Sequence, residues 1–148
     1  MADYFTNFSF IHPLKEDREY ALNLFTNACS GRWDQEALPA DFPAALKEVL
    51  EDWHFELETC DAGLWLHSQS GGIDAVCAFV QHLLQKFNSS ECVTFQWSDD
   101  CSQPRTNAYG GGAAIITTSE IKTMNTSDWL SENVPKTTKH ENHHCPPG

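Results

Sequence analysis

Ile73-Asp-Ala-Val-Cys-Ala-Phe-Val-Gln-His-Leu-Leu-Gln-Lys-Phe87 is the stretch that decides the fold. Ile73, Val76, Cys77, Val80, Leu83, Leu84 and Phe87 recur at the spacing of one helix face, while Asp74, Gln81, Gln85 and Lys86 take the other. This spacing predicts an amphipathic helix that buries its apolar stripe against a sheet. The flanking sequence supplies the strands. Before the helix, Phe55, Leu57 and Thr59 alternate with His54, Glu56 and Glu58, and Asp61-Ala-Gly63 turns the chain into a second run over residues 64–69. After it, residues 92–97 read as a fourth strand, and the short apolar run 112–117, opened by glycine, as a fifth.

Further out, Phe8, Phe10 and His12 alternate with Ser9 and Ile11 in a first strand over residues 5–12, stopped by Pro13. Residues 14–29 then place Ala21, Leu24, Phe25 and Ala28 at helical spacing, with Glu16, Asp17 and Glu19 near the amino end, where the helix dipole favours anions. A short helix follows, with Asp41 as its expected cap and Phe42, Leu46, Val49, Leu50 and Trp53 on one face. Residues 119–133 read as one or two short helices, with Thr126 as a cap. Residues 134–148 have no periodicity and read as a disordered tail. The order strand-helix-strand-strand-helix-strand predicts a single α+β domain over residues 1–133, a ferredoxin-like split β-α-β sandwich with an additional strand and a C-terminal helix.

The charge is uneven. Of 21 acidic and 9 basic side chains, residues 1–61 hold 13 acids and 4 bases, and between Asp34 and Asp61 nine carboxylates face only Lys47. A net charge of -12 argues against direct binding to nucleic-acid phosphates or anionic lipid and points to a cationic partner. The amino terminus lacks a basic segment followed by an apolar one, and no apolar run nears the roughly 18 residues of a membrane span, so a soluble cytoplasmic protein is expected. Cysteines at 29, 60, 77, 92, 101 and 145 form no C-x-x-C pair, and most read as reduced, partly buried thiols, a disulfide framework being the alternative.

Signals for chemistry are sparse. No G-x-S-x-G, no HEXXH and no Cys–His spacing supports nucleophilic or zinc catalysis, so no catalytic residue, metal or cofactor is assigned. The longest connection, residues 98–112, joins Asp99, Asp100, Arg105 and Tyr109 to Gly110, Gly111 and Gly112, and is the candidate for a small-ligand or enzymatic site; alternatively, Arg105 simply pairs with Asp99 or Asp100. Ser70-Gly-Gly72 leaves backbone N–H groups at a helix start that an anion would suit, although Asp74 already supplies negative charge there. His54, Glu56, Glu58 and His67 read as exposed polar residues sharing a sheet face. Trp33, Trp53, Trp65, Trp97 and Trp129 read as core, with Trp65 or Trp97 the alternative interface anchor.

At Glu51-Asp-Trp-His-Phe55, over residues 63–87 and at Trp97-Ser-Asp-Asp-Cys-Ser-Gln-Pro-Arg-Thr-Asn-Ala-Tyr-Gly-Gly-Gly-Ala-Ala114, the chain resembles an uncharacterised family of small acidic proteins from bacterial plasmids, phages and integrated elements. The resemblance covers most of residues 5–130. It implies a context, a mobile element in a bacterial cytosol, where small acidic inhibitors of host defence are common. The leading expectation is a non-enzymatic binding protein of the anti-CRISPR or DNA-mimic kind. Glu48, Glu51, Asp52, Glu56 and Glu58, with Trp65 as anchor, would engage a basic surface of a nucleic-acid-handling or defence protein. The alternatives are the loop site and a homodimer in which acidity serves only solubility.

Overall fold

The computed structural model describes residues 2–135. Six strands form one antiparallel sheet: β1 (Tyr4–His12), β2 (Glu56–Cys60), β3 (Gly63–Ser68), β4 (Val93–Cys101), β5 (Gly110–Ile116) and β6 (Ile121–Asn125), in the order β2-β3-β1-β4-β5-β6. The first four reproduce the ferredoxin-like split β-α-β order, and β5 and β6 extend it beyond β4. Four helices accompany the sheet: α1 (Arg18–Gly31), α2 (Ala44–Lys47), α3 (Ile73–Lys86) and α4 (Thr126–Asn133). The expected tail from residue 136 onward lies outside the described residues.

Burial follows the period of each element. From α3 come Ala75, Val76, Cys77, Phe79, Val80, Leu83 and Leu84, and from α1 Ala21, Leu24 and Ala28. Alternate strand residues Phe8, Leu57, Leu64, Leu66, Val93, Phe95, Ala114 and Ile116 meet them, so the core lies between the helices and one sheet face. Phe25, Trp53, Phe55 and Phe79 form an aromatic knot at its centre, with ring centroids 4.9–6.3 Å apart. His12 sits on the same face. Burial holds its pKa down to about 4, and its Nδ1 has no hydrogen-bond partner.

Several expectations need correction. The first helix starts four residues later, where Asp17 caps it by accepting from Tyr20 N–H at 3.4 Å. Asp41 caps nothing: α2 is a single turn preceded by Pro43, and a 3-10 turn over Leu50–Asp52 follows. Residues 121–125 are a strand, not a helix, and the cap of α4 is Asn125, whose Oδ1 accepts from Asp128 N–H at 2.8 Å. Thr126 instead accepts from Gly111 N–H at 3.1 Å. Of the five tryptophans only Trp53 is buried; Trp65 and Trp97 are half-buried, and Trp33 and Trp129 are exposed. Cys29, Cys60, Cys77, Cys92 and Cys101 are free thiols.

Candidate functional site

Register decides what the uncovered face of the sheet carries. Ser9 pairs with His67 and His67 with Glu56; one step along, Ile11 pairs with Trp65 and Trp65 with Glu58. Two rows of outward side chains therefore cross β1, β3 and β2, Ser9–His67–Glu56 and Ile11–Trp65–Glu58, because Phe8, Phe10, Leu57, Leu64 and Leu66 between them face the core. The rows are tied diagonally. Trp65 Nε1–H donates to Ser9 Oγ at 2.8 Å, and His67 Nε2 lies 2.8 Å from Glu58 Oε2. The Trp65 and His67 rings stack with centroids 4.0 Å apart. Beside them opens a hollow of about 660 Å³ lined by Asn7, Ser9, His54, Glu56, Trp65 and His67 together with the chain that follows β3.

The chemistry of this face is that of a cation acceptor. Glu58 is paired with His67, whereas Glu56 forms no ion pair among the described residues. A carboxylate without an ion-pair partner and an indole lining one hollow offer an ammonium or guanidinium Coulombic and cation–π attraction, the second amounting to about 0.5–2 kcal/mol. His54, Glu56, Glu58 and His67 do come together here, but the described residues contain no group of three or more His, Cys, Asp or Glu arranged to hold a metal ion.

The sheet divides the six residues expected to bind a partner. Glu56, Glu58 and Trp65 belong to the uncovered face. Glu48, which follows the last residue of α2, and Glu51, in the 3-10 turn after it, are exposed in the helical layer. Asp52 is committed to the fold: its Oδ2 accepts from Ala75 N–H at 3.1 Å in the first turn of α3. That bond takes one of the N–H groups at the start of α3, and Ser70 N–H and Gly71 N–H are taken by Ser68 Oγ and the Thr6 carbonyl. Gly71 and Gly72 adopt φ of 84° and 89°, and a Cβ at Gly72 would press on the Asp52 carbonyl.

The loop site is smaller than expected. β4 runs through Asp99 and Asp100, and β5 begins at Gly110, so only residues 102–109 form the connection. Asp99 Oδ1 accepts from Thr6 Oγ1–H at 2.7 Å and Asp100 Oδ2 from Asn7 Nδ2–H at 3.4 Å, so both carboxylates brace β4 against β1. Arg105 bonds Gln103 at 3.2 Å, not either aspartate. Tyr109 donates to the Gln103 carbonyl at 3.2 Å. Gly110, Gly111 and Gly112 have no positive φ; they are glycines because a Cβ would meet, respectively, Thr126 Oγ1, the Trp97 carbonyl and the Trp97 ring.

Ser9 and Asn7 are the site residues that sequence reading passed over. Alternation placed Ser9 on the outward face, but its bond to Trp65 depends on a register that the sequence does not state. Comparison of the chain with protein-family models, curated proteins and solved structures finds no match. No helix among the described residues is long and apolar enough to cross a membrane.

Proposed function

We propose that the chain is a non-enzymatic binding protein that seats a basic protein surface on the uncovered face of β2-β3-β1, and so blocks a nucleic-acid-handling or defence protein of a bacterial host. The observation that supports the reading is that Glu56, which forms no ion pair among the described residues, and Trp65 line the same 660 Å³ hollow. Lysine and arginine, the residues with which proteins hold phosphates, are the side chains that such a face accepts. Exposed Glu48 and Glu51 add to the field from the helical layer. Their effect falls on encounter rate and salt dependence more than on affinity. Nucleic acid itself is repelled by the net charge of -12.

The test is capture of proteins from a bacterial lysate on the immobilised chain at low and high salt, with the double variant Glu56→Lys, Glu58→Lys alongside. A nucleic-acid-handling protein retained by the native chain at low salt, released at high salt and not retained by the variant supports the proposal. Retention that ignores the charge reversal, in a variant that unfolds like the native protein, overturns it.

A further inference from the structure

The hollow lined by Glu56 and Trp65 does not end at β1. A second hollow, of about 550 Å³, is lined by Phe5, Asn7, Gln69, Asp100, Cys101 and Tyr109, and shares Asn7 and Gln69 with the first. The two therefore run together as one trough across β2, β3, β1 and β4. Each end repeats the same kinds of group. At one end are Glu56 and the Trp65 indole, at the other Asp100 with the Phe5 and Tyr109 rings.

The charge of the trough is one-sided. β1, β2, β3 and β4 contain four carboxylates, Glu56, Glu58, Asp99 and Asp100, and no lysine or arginine. Glu58 is met by His67, whereas neither Glu56 nor Asp100 forms an ion pair among the described residues. Asp100 does accept from Asn7 Nδ2–H at 3.4 Å, but an ionised carboxylate has about four lone-pair sites, so one long bond leaves it able to take a cation. Glu56 is exposed, Asp100 is half-buried and Tyr109 is 55% exposed, so both ends open to solvent.

The distance between the ends follows from the register. Glu56 stands opposite His67 and His67 opposite Ser9, two strand spacings across; Phe5 lies four residues along β1 from Ser9, and Asp100 one further spacing across from Phe5. With about 4.8 Å between strands and about 3.3 Å per residue, the two ends are roughly 20 Å apart. An extended chain covers that span in about six residues, and side chains at i and i+6 leave it on the same side. We infer that the trough seats an extended segment of the partner with two basic side chains about six residues apart, one on Glu56 and Trp65, the other on Asp100, Phe5 and Tyr109. Asn7 and Gln69, common to both hollows, offer amide donors and acceptors to the peptide groups in between. This assignment rests on the sheet-face reading above and adds to it a second station and a spacing. Each station alone is open to water and holds a cation weakly. When one segment spans both, the second contact becomes intramolecular, and affinity rises only where the spacing fits.

The experiment titrates the full chain, by calorimetry at low ionic strength, with polyproline peptides carrying arginine at i and i+3, at i and i+6, or at i and i+12, and with one carrying a single arginine. Proline spacers hold the paired charges about 9, 19 and 37 Å apart on one side of a stiff helix. The i, i+6 peptide is expected to bind about tenfold more tightly than the other three, and Glu56→Gln or Asp100→Asn should each reduce it to the single-arginine level. Asp100 also braces β4, so Glu56→Gln, at an exposed position, keeps the test decisive if Asp100→Asn fails to fold. Affinity that ignores the spacing but falls in Glu56→Gln overturns the two-station trough and leaves the sheet-face reading standing. If no peptide binds, or if affinity ignores both substitutions, the trough is overturned, and capture from lysate with the Glu56→Lys, Glu58→Lys variant decides the wider reading separately.

Discussion

The two ends of the sheet are built on different terms. At the β2-β3-β1 end the helices cover one face, and Phe8, Leu57, Leu64 and Leu66 enter the core from it. At the other end β5 still contributes Ala114 and Ile116, but β6 and α4 contain no buried residue. Of ten exposed large apolar side chains among the described residues, six lie here: Ile115, Ile121, Met124, Trp129, Leu130 and Val134. The first end is held by burial. The second is held by backbone pairing with β5, by the Thr126–Gly111 bond, and by a close approach in which Gly112 admits the Trp97 ring. A strand can thus be recruited to a sheet without bringing an apolar face of its own, provided that its neighbour carries glycines where it must come near.

The comparison breaks most visibly in the covered end. Phe79 is fully buried and touches Phe25, Trp53 and Phe55, so Phe79→Ala should cost about 3–5 kcal/mol in urea unfolding. A loss below about 1 kcal/mol would move the centre of the core elsewhere.

Acid probes the same end with a somewhat smaller effect. His12 has a folded pKa of about 4 against 6.5 for the free side chain. Between these values the unfolded chain binds the extra proton, so stability falls as pH drops from 6.5 to 4, by roughly 2–3 kcal/mol from this group. His12→Leu should flatten the urea midpoint across that window, and a slope equal to that of the native chain would contradict the burial of an uncharged ring.

The uncovered end should barely respond. Trp129→Ala and Leu130→Ala are expected to change stability by less than about 0.5 kcal/mol each. A larger loss that grew with protein concentration would show that a second copy covers α4, which sedimentation of the native chain would then confirm.

The same contrast explains what could be read from the sequence. The α3 stripe, the alternation of β1, β2 and β3 and the resulting strand order were legible, because burial on one face imposes a period. β6 was not. Ile121-Lys-Thr-Met-Asn125 buries neither face and so carries no period, and strand pairing alone reveals it. The three glycines suggested a loop by composition, whereas their role lies in Trp97 and Thr126, contacts that only the folded register creates. Glu56, Glu58 and Trp65 were selected for charge and exposure, but Asp52 was grouped with them because an acidic helix cap and an acidic surface residue look alike in one dimension.

β1 is divided between two partners: its amino-terminal half pairs with β4 and its carboxyl-terminal half with β3. The bonds that tie it down reach across 56 residues from Ser9 to Trp65 and 93 residues from Thr6 to Asp99. β1 therefore finds its place only through contacts far along the chain, its second half through β3 and its first half through β4. Such long-range closure slows folding. Until β3 is in place Phe8 and Phe10 have no strand beside them, and the chain is then most open to chaperones and proteases.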